Sequence, residues 1–399
     1  MLKSKEVEEF AKAICDQSPV TGLTHNFYRY PARFSPTFAN VAIRLFTNPG
    51  DLVIDPFVGG GTTLVESSVL GRKAIGIDIN SLGIFLSKVK TTPISIDDAI
   101  EIRSWSDTVI GNLNLHRPAI RAREWAINGY QNNINGKQTW PIRKTIELVL
   151  YELTTLSTEI QKNFVRCVLL RTSQWAVDCR KHIPSASEIR EKFKLFLEEM
   201  LDGMVDYSNI YNSNKTYIDD EYYRFPMCLY RPISGIENVE YLDKLQKPKL
   251  VLTSPPYPGI HILYHRWQVH GGKEVSAPYW IADCIDGRGA SYYTFGDRQT
   301  HDSGQYYDRL RSSFSSIFNL CSRDTVIIQM IGFANPKVQL QKYLSVLSQV
   351  GFQEMKTSNL SNSSDGRIWR SVPNRKWYNE RSSIKGQRSE VVLFHKLAH

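Results

Sequence analysis

"DLVIDPFVGGGTTLVESSVLGRKAIGIDIN", residues 51–80, decides the fold. An apolar run ends at Asp55, three glycines turn the chain at 59–61, a helix-patterned segment follows, and a second apolar run ends at Asp78. Strand, glycine turn, helix and strand in this order form the βαβ unit of a parallel sheet. A glycine turn at a strand end lets the backbone approach a ligand closely, Thr62 or Thr63 is placed to cap the helix behind it, and Asp78 can accept from ribose hydroxyls. Dinucleotide sites ordinarily carry one more glycine where helix and strand pack together; Leu64 stands there, so the pattern departs from NAD binding.

Upstream, the text predicts a short helix at 5–16, an aromatic and proline-rich segment, "THNFYRYPARFSP", at 24–36, and a helix at about 37–47. Downstream, stretches such as "TIELVLYELTTLSTEIQKNFVRCVLLRTSQWAV" repeat apolar residues at three- and four-residue steps, so 91–230 reads as a mainly helical insertion. Strand character returns at Lys249–Thr253 and Thr325–Met330, then in a pair at 351–358 and 390–397 joined by a long loop. The expected architecture is α/β: a doubly wound, mostly parallel sheet with a mainly helical insertion and an antiparallel C-terminal hairpin.

The 399 residues, 42% of them apolar, suffice for a substantial core. Lys and Arg number 49 against 40 Asp and Glu, a balance that suits a polyanionic partner. The six cysteines form no CxxC pair, which argues for reduced thiols and against a disulfide framework or zinc ribbon. The N-terminal text is charged and amphipathic, unlike a signal peptide, and no apolar run approaches the ~20 residues of a membrane span, so a cytoplasmic protein without a membrane partner is expected.

A second stretch, "LVLTSPPYPGI" at 250–260, ends a buried strand in a rigid corner. Two prolines remove two backbone donors and fix two φ angles, leaving a hydroxyl, carbonyls and an aromatic ring. "DPFVGGGTTL" followed by "GIDIN" resembles the S-adenosylmethionine site of amino-methylating DNA methyltransferases, and "TSPPY" resembles their catalytic motif. "HNFYRYPARFSP" is similar to the element lying against the methionine end of the cofactor in the same enzymes. The order of the three motifs excludes the permuted class in which the catalytic corner comes first.

The resemblance implies S-adenosyl-L-methionine as cofactor, held by Tyr30, Pro31, Asp55, Phe57, Gly59, Gly61 and Asp78, with Ser254, Pro255, Pro256 and Tyr257 carrying the chemistry and no metal. It divides the chain into a cofactor-binding half at 1–90, the insertion at 91–230, with DNA recognition as one role, and a catalytic half at 231–399 with a basic loop at 361–389. A Ser-first corner is associated in the family with N4 of cytosine, so the implied enzyme methylates cytosine N4 in DNA, its target base flipped out onto Tyr257, as the protective partner of a restriction endonuclease. Carbon-5 methylation needs a Cys after Pro, and no cysteine here follows one. Alternatives are adenine N6, tRNA guanine N2 or protein glutamine as the methyl acceptor, or a catalytically idle DNA-binding module.

For DNA contact the sequence offers "RIWRSVPNRKWYNERSSIKGQR" at 367–388, with seven Lys or Arg opposed within the stretch only by Glu380. Arg367, Arg370, Arg375, Lys376 and Trp377 are the candidate contacts, combining phosphate-binding charge with a stacking ring. A second candidate, "RTSQWAVDCRKHIPS" at 171–185, sets Arg171 and Arg180 beside Trp175. His261 and His265 lie four apart but lack the accompanying Glu or Cys of a zinc site. The segment 258–310 reads instead as a loop beside the active site.

Overall fold

The computed structural model describes residues 3–31, 33–118, 129–180, 182–219, 221–259, 266–270, 272–285, 293–296, 304–356, 361, 363–371 and 389–398. Helices α1 (Ser4–Ile14) and α2 (Pro36–Phe46) precede β1 (Leu52–Asp55). Ser35 accepts from the Phe38 N–H to cap α2, and Pro36 occupies a first-turn position whose N–H the helix would not use. The predicted βαβ unit follows as β1, α3 (Thr62–Val69), β2 (Lys73–Asp78) and α4 (Ser81–Thr91).

The insertion contributes α5 (Ile96–Gly111), α6 (Trp140–Glu152), α7 (Glu159–Val177) and the 33-residue α8 (Ala186–Ile218). Reciprocal caps start three of them: Ser95 with Asp98, Thr158 with Gln161, and Ser185 with Glu188. The sheet resumes at β3 (Met227–Tyr230), inside the stretch read as insertion, because these four residues pair in parallel with β2. Then come β4 (Leu250–Thr253), a two-stranded ribbon of β5 (Trp267–Val269) and β6 (Lys273–Val275), α9 (Ala277–Ala282), α10 (Gly304–Leu320), β7 (Val326–Gly332), α11 (Pro336–Val350), β8 (Phe352–Glu354), β9 (Ile368–Ser371) and β10 (Ser389–Leu397).

The main sheet has the order β3-β2-β1-β4-β7-β10-β8, with β9 also paired to β10. Strands β3, β2, β1, β4 and β7 are mutually parallel, and β10 is antiparallel to β7, β8 and β9. This is the expected doubly wound α/β sheet with an antiparallel C-terminal end. The basic stretch is not all loop, however: its first residues form β9, paired along the N-terminal half of β10.

Alternation puts Val53, Leu250, Leu252, Val326 and Ile328 against Phe10 of α1 and Phe38 of α2 on one face. Leu52, Ile54, Val251 and Ile327 face the other side, toward α4, the insertion helices, α10 and α11. Each such aliphatic side chain contributes about 1.5–3 kcal/mol on full burial, so both faces must be covered. The chain leaves β1 toward β2 and β3 in one direction and reaches β4 and β7 in the other. That reversal opens a crevice at the carboxyl ends of β1 and β4, where open α/β sheets take ligands.

A Cβ at Gly203, within α8, would collide with the Leu23 carbonyl oxygen. Alanine favours helix by about 1 kcal/mol, but this contact is with backbone and cannot yield easily. Gly203→Ala is therefore expected to lower stability by ~1–3 kcal/mol in urea unfolding. An unchanged or raised midpoint would show that α8 does not press on the 22–25 segment.

Candidate active site

The glycine turn is held from several sides. Gly59 and Gly61 have φ of +47° and +79°, a region disfavoured for side-chain-bearing residues. A Cβ on Gly60 would lie 2.9 Å from Tyr30 Cβ, and one on Gly61 would lie 2.8 Å from Ser87 Oγ, so the turn has no room for side chains. Asp78 accepts from the Gly59 N–H (2.8 Å) and the Asn80 N–H (2.8 Å). From behind, Lys90 donates to the Gly60 carbonyl (2.7 Å) and Ser87 to the Gly59 carbonyl (3.2 Å). Gly61 itself occupies the cap position of α3; Thr63, instead of capping, donates to Asp55.

Asp55 is 2% exposed and joins three elements. Its Oδ2 accepts from Thr63 Oγ1 (2.6 Å), and its Oδ1 accepts from Thr253 Oγ1 (2.8 Å) and the Phe57 N–H (3.1 Å). Thr253 immediately precedes Ser254, so one carboxyl fixes the glycine turn and the proline corner relative to each other. Burial pushes both Asp55 and Asp78 up to about 6, against the hydrogen bonds that favour their charged forms.

A cavity of roughly 340 Å³ opens at this point, within the range of small-molecule sites. Tyr30, Asp55, Phe57, Gly59 and Asp78 line it together with Ser254 and Pro256. Pro31, Gly61, Pro255 and Tyr257 are not among its lining residues. Tyr257 is 7% exposed, its ring lying against Gly332 and its hydroxyl linked to Ser254 and Glu390, so its face is not an open platform in this structure. The Pro256 carbonyl accepts from Tyr306 (2.8 Å), which anchors the corner to α10.

Two of the candidate DNA contacts have partners within the fold. Arg367 grips both oxygens of Glu354 (2.6 and 2.9 Å) and reaches Asp365 (3.1 Å). Arg370 pairs with Glu390 (2.6 Å) and donates to the Ile14 carbonyl (3.2 Å). Their side chains are 14% and 9% exposed, and both cations tie strands together. Arg375, Lys376, Trp377, His261 and His265 lie outside the described residues. In the insertion, Arg171 is committed to Glu199 and the Phe196 ring, and Arg180 lies over Trp175.

Sequence reasoning missed Asn80 and Arg33. Asn80 donates to Tyr30 OH (2.9 Å) and accepts from Tyr279 (2.9 Å), linking the glycine turn's neighbours to α9. Arg33 donates to the His25 and Tyr28 carbonyls while lining the cavity, and burial lowers it to about 10. Both stood in quoted text, "GIDIN" and "YPARFSP", but their partners lie in distant or irregular segments.

Residues 6–84 match the DNA methylase family model. That stretch holds Tyr30, the glycine turn and Asp78 and stops short of the insertion and Ser254. The type II methyltransferase M.MjaII of Methanocaldococcus jannaschii is 38% identical over 66 residues, 16% of this chain and 12% of that protein. M.MvaI of Kocuria varians, also a type II methyltransferase, is 36% identical over 99 residues, 22% of each. The DNA adenine methyltransferase YhdJ of Escherichia coli is 32% identical over 101 residues, 25% of this chain and 34% of its own. The similarity thus spans about a third or less of each relative. Among the described residues no helix is long and apolar enough to cross a membrane.

The raised Asp55 makes a pH prediction. A carboxyl whose folded pKa is about 6 against ~3.9 unfolded contributes stability that is fully present below about pH 4 and lost as pH rises through 6. Asn is neutral throughout, so Asp55→Asn should lower Tm most near pH 4, with the gap to wild type narrowing toward pH 7.5. Thermal melts at matched ionic strength measure this; a gap that is constant or widens with pH would contradict the raised pKa.

Proposed function

We propose that this chain is an S-adenosylmethionine-dependent DNA methyltransferase acting on the exocyclic N4 of cytosine, with the target base flipped out of the duplex. The observation carrying the reading is that the glycine turn and Ser254 line one cavity and share Asp55 as a common support. The match of 6–84 to the DNA methylase model and the type II methyltransferase relatives support it independently.

The residues present suit the cofactor. The side-chain-free turn would admit it closely, Asp78 keeps accepting capacity for ribose hydroxyls, and Phe57 offers an apolar wall packed edge-on against Phe295 at 5.6 Å. Tyr30 closes the side of the turn, where Pro31 and Gly61 fix the local backbone. When bound, S-adenosylmethionine supplies an electrophilic methyl group on a sulfonium.

An exocyclic amine is a poor nucleophile because its lone pair is delocalised into the ring. Ser254 Oγ and the Pro255 carbonyl, each accepting one amine hydrogen, would pull the nitrogen toward tetrahedral geometry and aim its lone pair. Pro255 and Pro256 bring no competing N–H, and Tyr257 holds the corner. The methylated ammonium is acidic and releases its surplus proton to water, so no strong general base is required. Arg375, Lys376 and Trp377 are proposed to contact the DNA, and a paired restriction endonuclease would give the modification its protective use.

Incubating the protein with methyl-labelled S-adenosylmethionine and unmethylated genomic DNA, then digesting to nucleosides for mass spectrometry, should yield N4-methylcytosine. N6-methyladenine would move the target to adenine, as in the YhdJ relative's name, and no modified base would sink the reading. Ser254→Ala should lower the single-turnover rate on the order of 100-fold with DNA affinity nearly unchanged. Arg375→Ala with Lys376→Ala should instead weaken binding to all sequences and reduce the salt slope by about one unit per lost contact. An unchanged slope would leave the loop without a phosphate role.

A further inference from the structure

Serine is an ambivalent group at a site that needs an acceptor. Its hydroxyl can accept an amine hydrogen, but it can equally turn its own hydrogen toward the amine and repel it. An aspartate in the same position would have no such choice, so a Ser-first corner needs something to settle the hydroxyl's direction.

The structure contains a chain of hydrogen bonds that does so. Ser254 Oγ lies 3.1 Å from Tyr257 OH, which lies 2.8 Å from Glu390 Oε1. Glu390 Oε2 receives Arg370 Nε (2.7 Å) and Nη2 (2.6 Å). Glu390 and Arg370 sit directly opposite each other on β10 and β9, and Glu390 is 6% exposed. Gly332, opposite Glu390 on β7, leaves room for the Tyr257 ring, which a Cβ there would approach to 3.0 Å.

The polarity follows from the far end. A guanidinium only donates and a carboxylate only accepts, so the Tyr257 hydroxyl gives its single hydrogen to Glu390. Its oxygen is then an acceptor for Ser254, whose own hydrogen is drawn away from the cavity wall. We propose that Glu390, held by Arg370, is a positioning residue that acts through Tyr257 to make Ser254 a pure acceptor for the target amine. This rests on the methyl-transfer reading, and it gives β9, which sequence placed in a DNA-binding loop, a role in orienting the active site.

Glu390→Gln is nearly isosteric and reverses the chain. The amide oxygen stays on Arg370, the amide N–H turns to Tyr257, Tyr257 donates to Ser254, and the Ser254 hydrogen swings toward the cavity. Single-turnover methyl transfer to a duplex carrying a site mapped from the methylated genomic DNA should fall on the order of 10-fold or more, because an acceptor has become a donor. Dissociation constants for S-adenosylmethionine and that duplex should change less than about 2-fold, since the reversed group meets the amine only at the reacting nitrogen.

The deciding comparison is the same substitution in a Tyr257→Phe background. With the intermediary hydroxyl gone, Glu390→Gln should change the rate less than about 2-fold further, whereas a merely structural role predicts the same fall in both backgrounds. A wild-type rate in Glu390→Gln, or equal falls in both backgrounds, overturns the proposal and leaves the methyltransferase reading standing. Failure of the unmutated protein to methylate any DNA overturns that reading, and the proposal with it. Should Glu390→Gln not fold by circular dichroism, Tyr257→Phe alone is decisive: a folded variant with an undiminished rate removes the chain of hydrogen bonds from the mechanism.

Discussion

The buried carboxyl of Asp55 is the constraint on which the site depends. It receives Thr63 from the start of α3, the backbone after β1, and Thr253 from the end of β4. Such burial would be costly for an unpartnered carboxylate, and three donors offset it only because they arrive from three elements at once. Glycine turn and proline corner therefore form one rigid unit, although Asp55 and Thr253 are 198 residues apart in the chain. A methyl donor and an acceptor base brought to such a unit would meet at a distance set by the sheet rather than by flexible loops.

Behind that unit, polar groups are buried in an order that stiffens the turn. Lys90 is fully buried and donates to the Gly60 carbonyl; burial lowers it to about 7, so either of its protonation states can supply this bond near neutral pH. Asn80 connects Tyr30 to Tyr279, and Tyr279 connects onward to Tyr293 (3.1 Å). The links from Lys90 and Asn80 join elements distant in sequence, which stiffens the cavity wall.

What the sequence made legible was local. The βαβ unit within residues 51–80 and the proline corner within 250–260 announce themselves because their physics is carried by neighbours in the chain. The ion pairs of Arg367 and Arg370 are not legible there for the complementary reason. Their carboxylates, Glu354 and Glu390, lie outside the window in which charges were balanced, and pairing them requires β9 to exist. The β9 text, "IWRS", has too little alternation to declare a strand, and β3 was absorbed into the helical pattern ahead of it. Asp55 is legible as the residue that ends a strand; its attachment to Thr253 belongs only to the folded sheet.

The insertion has a structural task whatever it does toward DNA. Gln174 of α7 makes a reciprocal pair with the backbone N–H and carbonyl of Arg29, and Asp178 just beyond the helix holds the Arg29 guanidinium at 2.6 Å. Those contacts set the residue immediately before Tyr30. On the same helix, Arg166 donates to the Ile281 carbonyl at the end of α9, the helix whose Tyr279 reaches Asn80. One insertion helix thus grips both the segment that covers the glycine turn and the helix that closes its far side. Its buried face, including Phe164 and Val168, belongs to the same continuous apolar cluster as Ile54 and Ile75 of the sheet. Removing the insertion would therefore expose the core and release the turn together, which is why a segment outside the βαβ unit is built into the site's geometry.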